Sequence, residues 1–404
     1  MNLLIVIICL AAGYVAYRSE KKLYNPISLY MMVWGILFFV YNLGWYPLPQ
    51  IQQSTYDIVI IGLLSFITAS FATKIFYKPS LIKQKKERGF LIKVFLIFFF
   101  VSMITPFLNG LRLLLGGVDL HDIRYVYHDD IVGTGIGAII FVYFSEPFLV
   151  FYLIYAVANI YTSKHPVKPV LIAILGIFMM IVARGGRFYL LYFIFAILIA
   201  MLIYRKAEIS KRVNRIVSTL AILGLVSVIA VTAIRGSDVG RTFYVYLSGS
   251  IPFLDHLLEE NAGFPHTMGL YSLNGFIRPI FVVLRAFGIM ELPVFMQFVE
   301  EISLQADEAY SIMPGELFNS FTTLFYSLFM DGGLIGVSIG NIVLAVVSMI
   351  SYRKLEINNK ASVVLYLLFA IILLLSFFRL LVSAYSYALA FFYVFICFKK
   401  TAIR

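Results

Sequence analysis

The chain alternates long apolar runs with short polar breaks. Eleven of these runs are long enough to cross the ~30 Å hydrocarbon layer of a bilayer as helices. They cover about 2–17, 27–46, 57–77, 91–108, 134–161, 168–183, 188–204, 216–234, 332–352, 361–378 and 380–398. Every second break is basic: Arg18/Lys21/Lys22, the Lys78–Arg88 run, Lys164/Lys168, Arg205–Arg215, Arg353/Lys354/Lys360 and the Lys399–Arg404 tail. Short loops rich in Lys and Arg stay on the cytoplasmic side. The alternation therefore predicts an all-α polytopic membrane protein with its N-terminus outside and its C-terminus in the cytoplasm. The first run has no basic residues ahead of it and is followed by Arg18, Glu20, Lys21 and Lys22. That pattern predicts an uncleaved first helix rather than a signal peptide.

Residues 1–404 read as a single integral membrane domain with two substantial outer loops, at about 109–133 and 235–331. The second mixes short apolar stretches with acids and Arg, so it should fold as helices lying on the bundle. Within it, 276–290 is apolar but contains Arg278, Pro279 and Arg285, which predicts an interfacial or re-entrant segment. Long loops in compact membrane proteins usually carry function.

Composition agrees: 61% of residues are hydrophobic and 13% charged, about half the charge of a soluble domain. The net charge of +11 sits in the short loops and needs no nucleic acid to explain it. Cys9 and Cys397 both lie in apolar runs, so neither a disulfide framework nor a thiolate metal site follows.

The basic residues divide unequally between the two faces. All 16 Lys and 7 of the 16 Arg fall on the basic side. The remaining nine are arginines: Arg112, Arg124, Arg184, Arg187, Arg235, Arg241, Arg278, Arg285 and Arg379. Arginine's planar, always-charged fork is favoured where phosphate or carboxylate is gripped away from bulk water. The outer face therefore reads as a site for a phosphate-bearing ligand held at the membrane surface.

Three arginine pairs are the candidate diphosphate contacts. Arg184-Gly-Gly-Arg187 forms a very tight outer turn, where the glycines admit close backbone approach. Its simpler explanation is a turn whose Arg snorkel to headgroups. Arg235-Gly-Ser-Asp-Val-Gly-Arg241 follows the eighth run, and there Asp238 can instead close an internal ion pair. Arg278 and Arg285 share one helix face, and cations on an apolar segment need partners, either a ligand or acids of the same loop.

Candidate general bases are His256 and His266 in the large loop, with Glu316 and Asp331 near its end. A lone His is as readily structural, and Asp331 can simply cap the helix after it. Glu146, an ionisable group inside an apolar run, is a functional candidate or the partner of an Arg from another helix. The loop acids and histidines Asp119, His121, Asp122, His128, Asp129 and Asp130 match no defined metal motif and read as solvated charge, so no metal and no cofactor is expected. Gly332, Gly336 and Gly340 recur every fourth residue, which suits close helix packing in a bilayer.

An Arg-Gly outer turn, a large mid-chain outer loop, and an Asn/Thr/aromatic stretch running into Asp-Gly and a Gly-rich helix form a recognisable layout. It resembles the bacterial oligosaccharide repeat-unit polymerases, the Wzy-type O-antigen and capsule polymerases. Arg184 to Arg187, Arg235 to Leu257 and Phe318 to Gly340 carry the resemblance. The stretch Thr-Leu-Phe-Tyr-Ser-Leu-Phe departs from it, since a basic residue is expected ahead of the aromatic. The resemblance implies a C-type polytopic glycosyltransferase of the bacterial plasma membrane. Such an enzyme moves a growing glycan from polyprenyl diphosphate onto the next lipid-linked repeat unit at the outer face. A chain-length-setting co-polymerase is the partner it implies. An O-antigen ligase shares the same features. A flippase or transporter of lipid-linked glycan would instead string charges through several helices and repeat its halves.

Overall fold

The computed structural model describes residues 1–79, 85–119, 123, 135–163, 167–186, 188–205, 219, 222, 239–308, 310–313, 316–318, 321–356 and 359–400. Their helices are α1 (Asn2–Glu20), α2 (Pro26–Leu43), α3 (Gln53–Phe76), α4 (Gly89–Leu115), α5 (Ile136–Thr162), α6 (Val167–Arg184) and α7 (Phe188–Tyr204). There follow α8 (Val239–Ser248), α9 (Ser250–Glu260), α10 (Asn274–Ala286), α11 (Val294–Asp307), α12 (Thr323–Arg353), α13 (Lys360–Leu374) and α14 (Tyr385–Cys397). Two short antiparallel ribbons complete the described chain: β1 (Lys85–Glu87) with β4 (Phe398–Lys400), and β2 (Tyr310–Met313) with β3 (Glu316–Phe318).

Seven helices, α1 to α6 and α12, are long and apolar enough to cross a membrane; α7, α13 and α14 are apolar but shorter. The protein is an all-α membrane protein in this sense. The expected runs match these helices, except 216–234, of which only residues 219 and 222 are described. Local signals set several boundaries. Asn25 caps α2 by accepting from the Ser28 amide at 2.8 Å, Pro26 occupies the first turn, and Gly44 ends the helix at φ +61°.

Among the described residues, parts of four basic breaks meet at one end of the bundle. Lys74 pairs with Glu20 at 3.1 Å, and the Tyr352 hydroxyl also donates to Glu20. Lys360 reaches Glu87 at 2.9 Å and the Asn159 side-chain oxygen Oδ1 at 2.8 Å, while Tyr155 donates to Glu87. The β1–β4 ribbon pairs Lys86 with Lys399 at the same end. Loops far apart in sequence thus share one face, as alternating topology requires.

α12 is two helices rather than one. Gly332 and Gly333 leave helical geometry, with Gly333 at φ +57°, ψ −143°. The chain folds back there, so that Leu328 lies on Gly336 and Gly340. A Cβ at Gly336 would stand 2.4 Å from the Leu328 carbonyl oxygen, and one at Gly340 would stand 2.2 Å from Leu328 Cδ2. The four-residue glycine spacing therefore makes room for the chain's own preceding segment. That segment belongs to the bundle interior instead of lying on it as part of the outer loop. Leu324 and Phe325 are fully buried, and Phe325 packs against Trp34 of α2. Gly336→Ala is expected to destabilise the protein by roughly 1–3 kcal/mol, because backbone rather than a movable side chain blocks the methyl. Thermal unfolding in detergent measures this.

Candidate functional site

At the end opposite the basic loops, three arginines from three separate stretches meet three carboxylates. The first pair depends on a defect in α5. Pro147 has no amide proton to donate back along the helix, and the turn ahead of it, Phe141–Ser145, widens to π geometry. Tyr143 and Glu146 then share a face. Glu146 is completely buried and accepts from Arg184 at 2.8 Å and from the Tyr189 hydroxyl at 3.0 Å. Arg184 ends α6 and Tyr189 lies in the first turn of α7. The tight turn between them needs Gly185 at φ +66°.

The other two pairs are organised by α11. Its residues Glu300, Ser303 and Asp307 repeat at i, i+3 and i+7, which places them on one face. Glu300 accepts from Arg278 of α10 at 2.6 Å. Ser303 lies near Tyr271, with its hydroxyl donating to the Val299 carbonyl at 2.8 Å. Asp307 accepts from Arg379, in the α13–α14 turn, at 2.9 Å. Arg278 lies near Tyr143, on the Glu146 face of α5, and the Tyr143 ring meets that of Tyr385 at 5.0 Å. The charges of Arg379, Arg184 and Glu146 all reach Tyr192. The result is one continuous seam of guanidinium, carboxylate and phenol.

Burial disfavours the charge on Arg278, but Glu300 more than offsets this and holds the guanidinium above its ordinary value. Arg278 is therefore a permanent cation. One carboxylate does not exhaust its donors, and its Nε is buried without a partner. Burial pushes the Tyr271 phenol well up, so it stays a neutral donor.

The seam continues through Tyr271 to Asp331 and His266. Asp331 accepts at 2.5 Å from the Thr267 hydroxyl, at 3.0 Å from the Tyr271 amide and at 3.1 Å from the Ser272 amide. Its backbone carbonyl takes the Met268 amide, and Met268 sits at φ +53°. The carboxylate thus latches a strained turn onto the α12 break instead of capping its own helix. His266 precedes that turn. It is exposed and lies against Gly333, whose added Cβ would be 3.3 Å from His266 Nε2. Thr323 has a rare left-handed φ of +60°, and its amide donates to the Phe378 carbonyl beside Arg379.

Of the expected residues, Arg184 and Arg278 lie in this seam, and His266 and Asp331 lie together at the α12 break, where Asp331 accepts from the Tyr271 amide. Arg285 is exposed on α10 and pairs with Glu291 at 3.6 Å. Arg241 is half-buried in α8. His256 stacks on Tyr310 at 3.5 Å and meets Glu260 at 3.5 Å, so its ring is occupied within the loop. Glu316 begins β3, opposite Met313. Arg187, Arg235, Asp238, Asn319 and most of the Asp119–Asp130 group lie outside the described residues. No cluster of metal-ligating side chains occurs among the described residues. Arg379 is one of the nine outer arginines but belongs to none of the candidate pairs, and Glu300, Asp307 and the tyrosines were not expected at the site. The i, i+3, i+7 spacing of Glu300, Ser303 and Asp307 was the available signal.

These observations separate His266 from Asp331. Asp331→Ala is expected to cost about 1–3 kcal/mol, because two buried amides lose their acceptor. His266→Ala should leave thermal unfolding nearly unchanged, because its side chain is exposed. Thermal unfolding measured on both variants checks the distinction.

Comparison with protein-family models, curated proteins and solved structures found no match to this chain.

Proposed function

We propose that the protein is a polysaccharide polymerase of a bacterial plasma membrane, with the arginine end outside. It transfers a growing glycan from polyprenyl diphosphate to an incoming lipid-linked repeat unit. The observation that supports this best is the gathering of Arg184, Arg278 and Arg379 into one tyrosine-lined seam at one end of the bundle. Phosphate needs such forks, and a membrane-held donor would meet them at the surface.

In this mechanism Arg278 and Arg379 hold the diphosphate, and Arg184 with Glu146 fixes the wall against which it lies. The acceptor hydroxyl oxygen attacks the anomeric carbon of the donor. The bond from that carbon to the diphosphate oxygen breaks, and polyprenyl diphosphate leaves with the electron pair. His266 takes the hydroxyl proton, and Asp331 is the positioning residue that holds its turn. Guanidinium groups stabilise the leaving charge in a partly dry site, so turnover is expected to survive a chelator.

Deleting the gene in the source strain and running the surface glycan on a gel tests this. Loss of the ladder with a single-repeat band retained is the expected result. Polymer accumulating on the carrier would mean a ligase, and single units trapped inside would mean a flippase.

A further inference from the structure

We propose that the α10–α11 hairpin is seated in the membrane leaflet at the arginine end, with the tip between its helices inserted among the lipids. This goes beyond the catalytic reading and does not depend on it. Three observations support it.

First, the tip is uncovered and, apart from Glu291, apolar. Phe287, Ile289 and Val294 are 74%, 67% and 80% exposed, and Ile280 on α10 is 59% exposed. A patch of this kind on a protein surface marks a contact.

Second, the patch continues the surface that the spanning helices already give to lipid. The start of α10 packs directly on α14: a Cβ at Gly275 would stand 2.4 Å from the Val382 carbonyl oxygen and 2.8 Å from Ala388 Cβ. Phe276 meets the ring of Phe392 at 6.0 Å. Phe392 and Phe395 are 50% and 59% exposed on the outer side of an apolar helix. Lipid lying against Phe392 therefore continues onto α10.

Third, the hairpin has the two-sided character of an interfacial element. Its inner side carries Arg278 to Glu300, and Phe281 closes on Phe295 at 5.6 Å. Its outer side is apolar, and the exposed pair Arg285–Glu291 is placed to lie among headgroups. Seating in the leaflet also sets the depth of Arg278, because that arginine and the tip belong to one helix.

The test uses full-length protein with single added cysteines F287C and V294C, and Q297C as a control on an exposed position of α11. The native Cys9 and Cys397 are both buried. Each variant is labelled with an environment-sensitive fluorophore and reconstituted into phosphatidylcholine–phosphatidylglycerol vesicles. Quenching at 287 and 294 by nitroxide on the lipid acyl chain, with weak quenching by a water-soluble nickel chelate, is the expected result. Position 297 should show a stronger response to the nickel chelate. Strong nickel quenching at 287 and 294 would overturn the proposal and leave the tip in water. Quenching by neither reagent, with V294C cross-linking to itself, would overturn it in favour of a second copy covering the patch. None of these readouts requires turnover, so failure here and failure of the polymerase reading can be told apart.

Discussion

Arg278→Ala is expected to slow glycan extension about 10²–10³-fold, the loss typical of removing one preorganised donor to a developing charge. Arg278→Lys should be nearly as damaging, because an ammonium cannot reproduce a planar fork that serves Glu300 and a phosphate together. Fold stability should change little. The side chains of Arg278 and Glu300 are 27% and 38% exposed, and a partly solvated pair contributes at most about 1 kcal/mol. Rate and stability are thus expected to come apart at this residue. Glu300→Gln sharpens the result: it leaves the guanidinium in place and removes the competing carboxylate, so the affinity for a diphosphate lipid should rise. Extension assays beside thermal unfolding, with donor titrations for Glu300→Gln, check all three variants.

Arg184→Ala is the second large effect, and its origin differs. Glu146 is fully buried, and removing Arg184 takes away the guanidinium that donates to it at 2.8 Å. Breaking a buried pair from one side costs about 3–5 kcal/mol. The neutral Tyr189 hydroxyl, donating at 3.0 Å, does not replace that charge. The double variant Arg184→Ala with Glu146→Gln should regain most of the lost stability, because a neutral amide needs no counter-ion. If it regains stability but not activity, Arg184 contributes to the reaction as well as to the wall. Unfolding of the single and double variants, with extension measured on whichever remains folded, separates the two roles.

Much of the scaffold is legible in local sequence. Apolar run lengths predict the long helices, and the basic breaks predict which loops share an end. Gly185 and Gly186 predict the tight turn that brings Tyr189 to Glu146. Arg278 is legible as a cation on an apolar segment that must find a partner, and Glu146 as an ionisable group that must find one as well. What local sequence does not show is which partners they find. Asp331 looks like a cap because it heads a Gly-rich helix, yet its carboxylate serves a turn that begins at Thr267. Glu300 and Asp307 look like solvated loop acids until α11 forms and aligns them toward Arg278 and Arg379. The segment from Thr323 to Asp331 looks like loop because it is short. Only the reversal at Gly332 and Gly333 lets it pack inside the bundle. Each of these depends on long-range packing, which periodicity does not encode.

The central claim is tested most directly with purified protein in lipid vesicles supplied with one synthetic polyprenyl-diphosphate repeat unit. The account predicts a ladder of longer lipid-linked glycans, with one polyprenyl diphosphate released per linkage formed. It also predicts that Arg278→Ala abolishes the ladder while the protein still unfolds at its normal temperature. Single units crossing the bilayer without extension, or an undiminished ladder from Arg278→Ala, would contradict it.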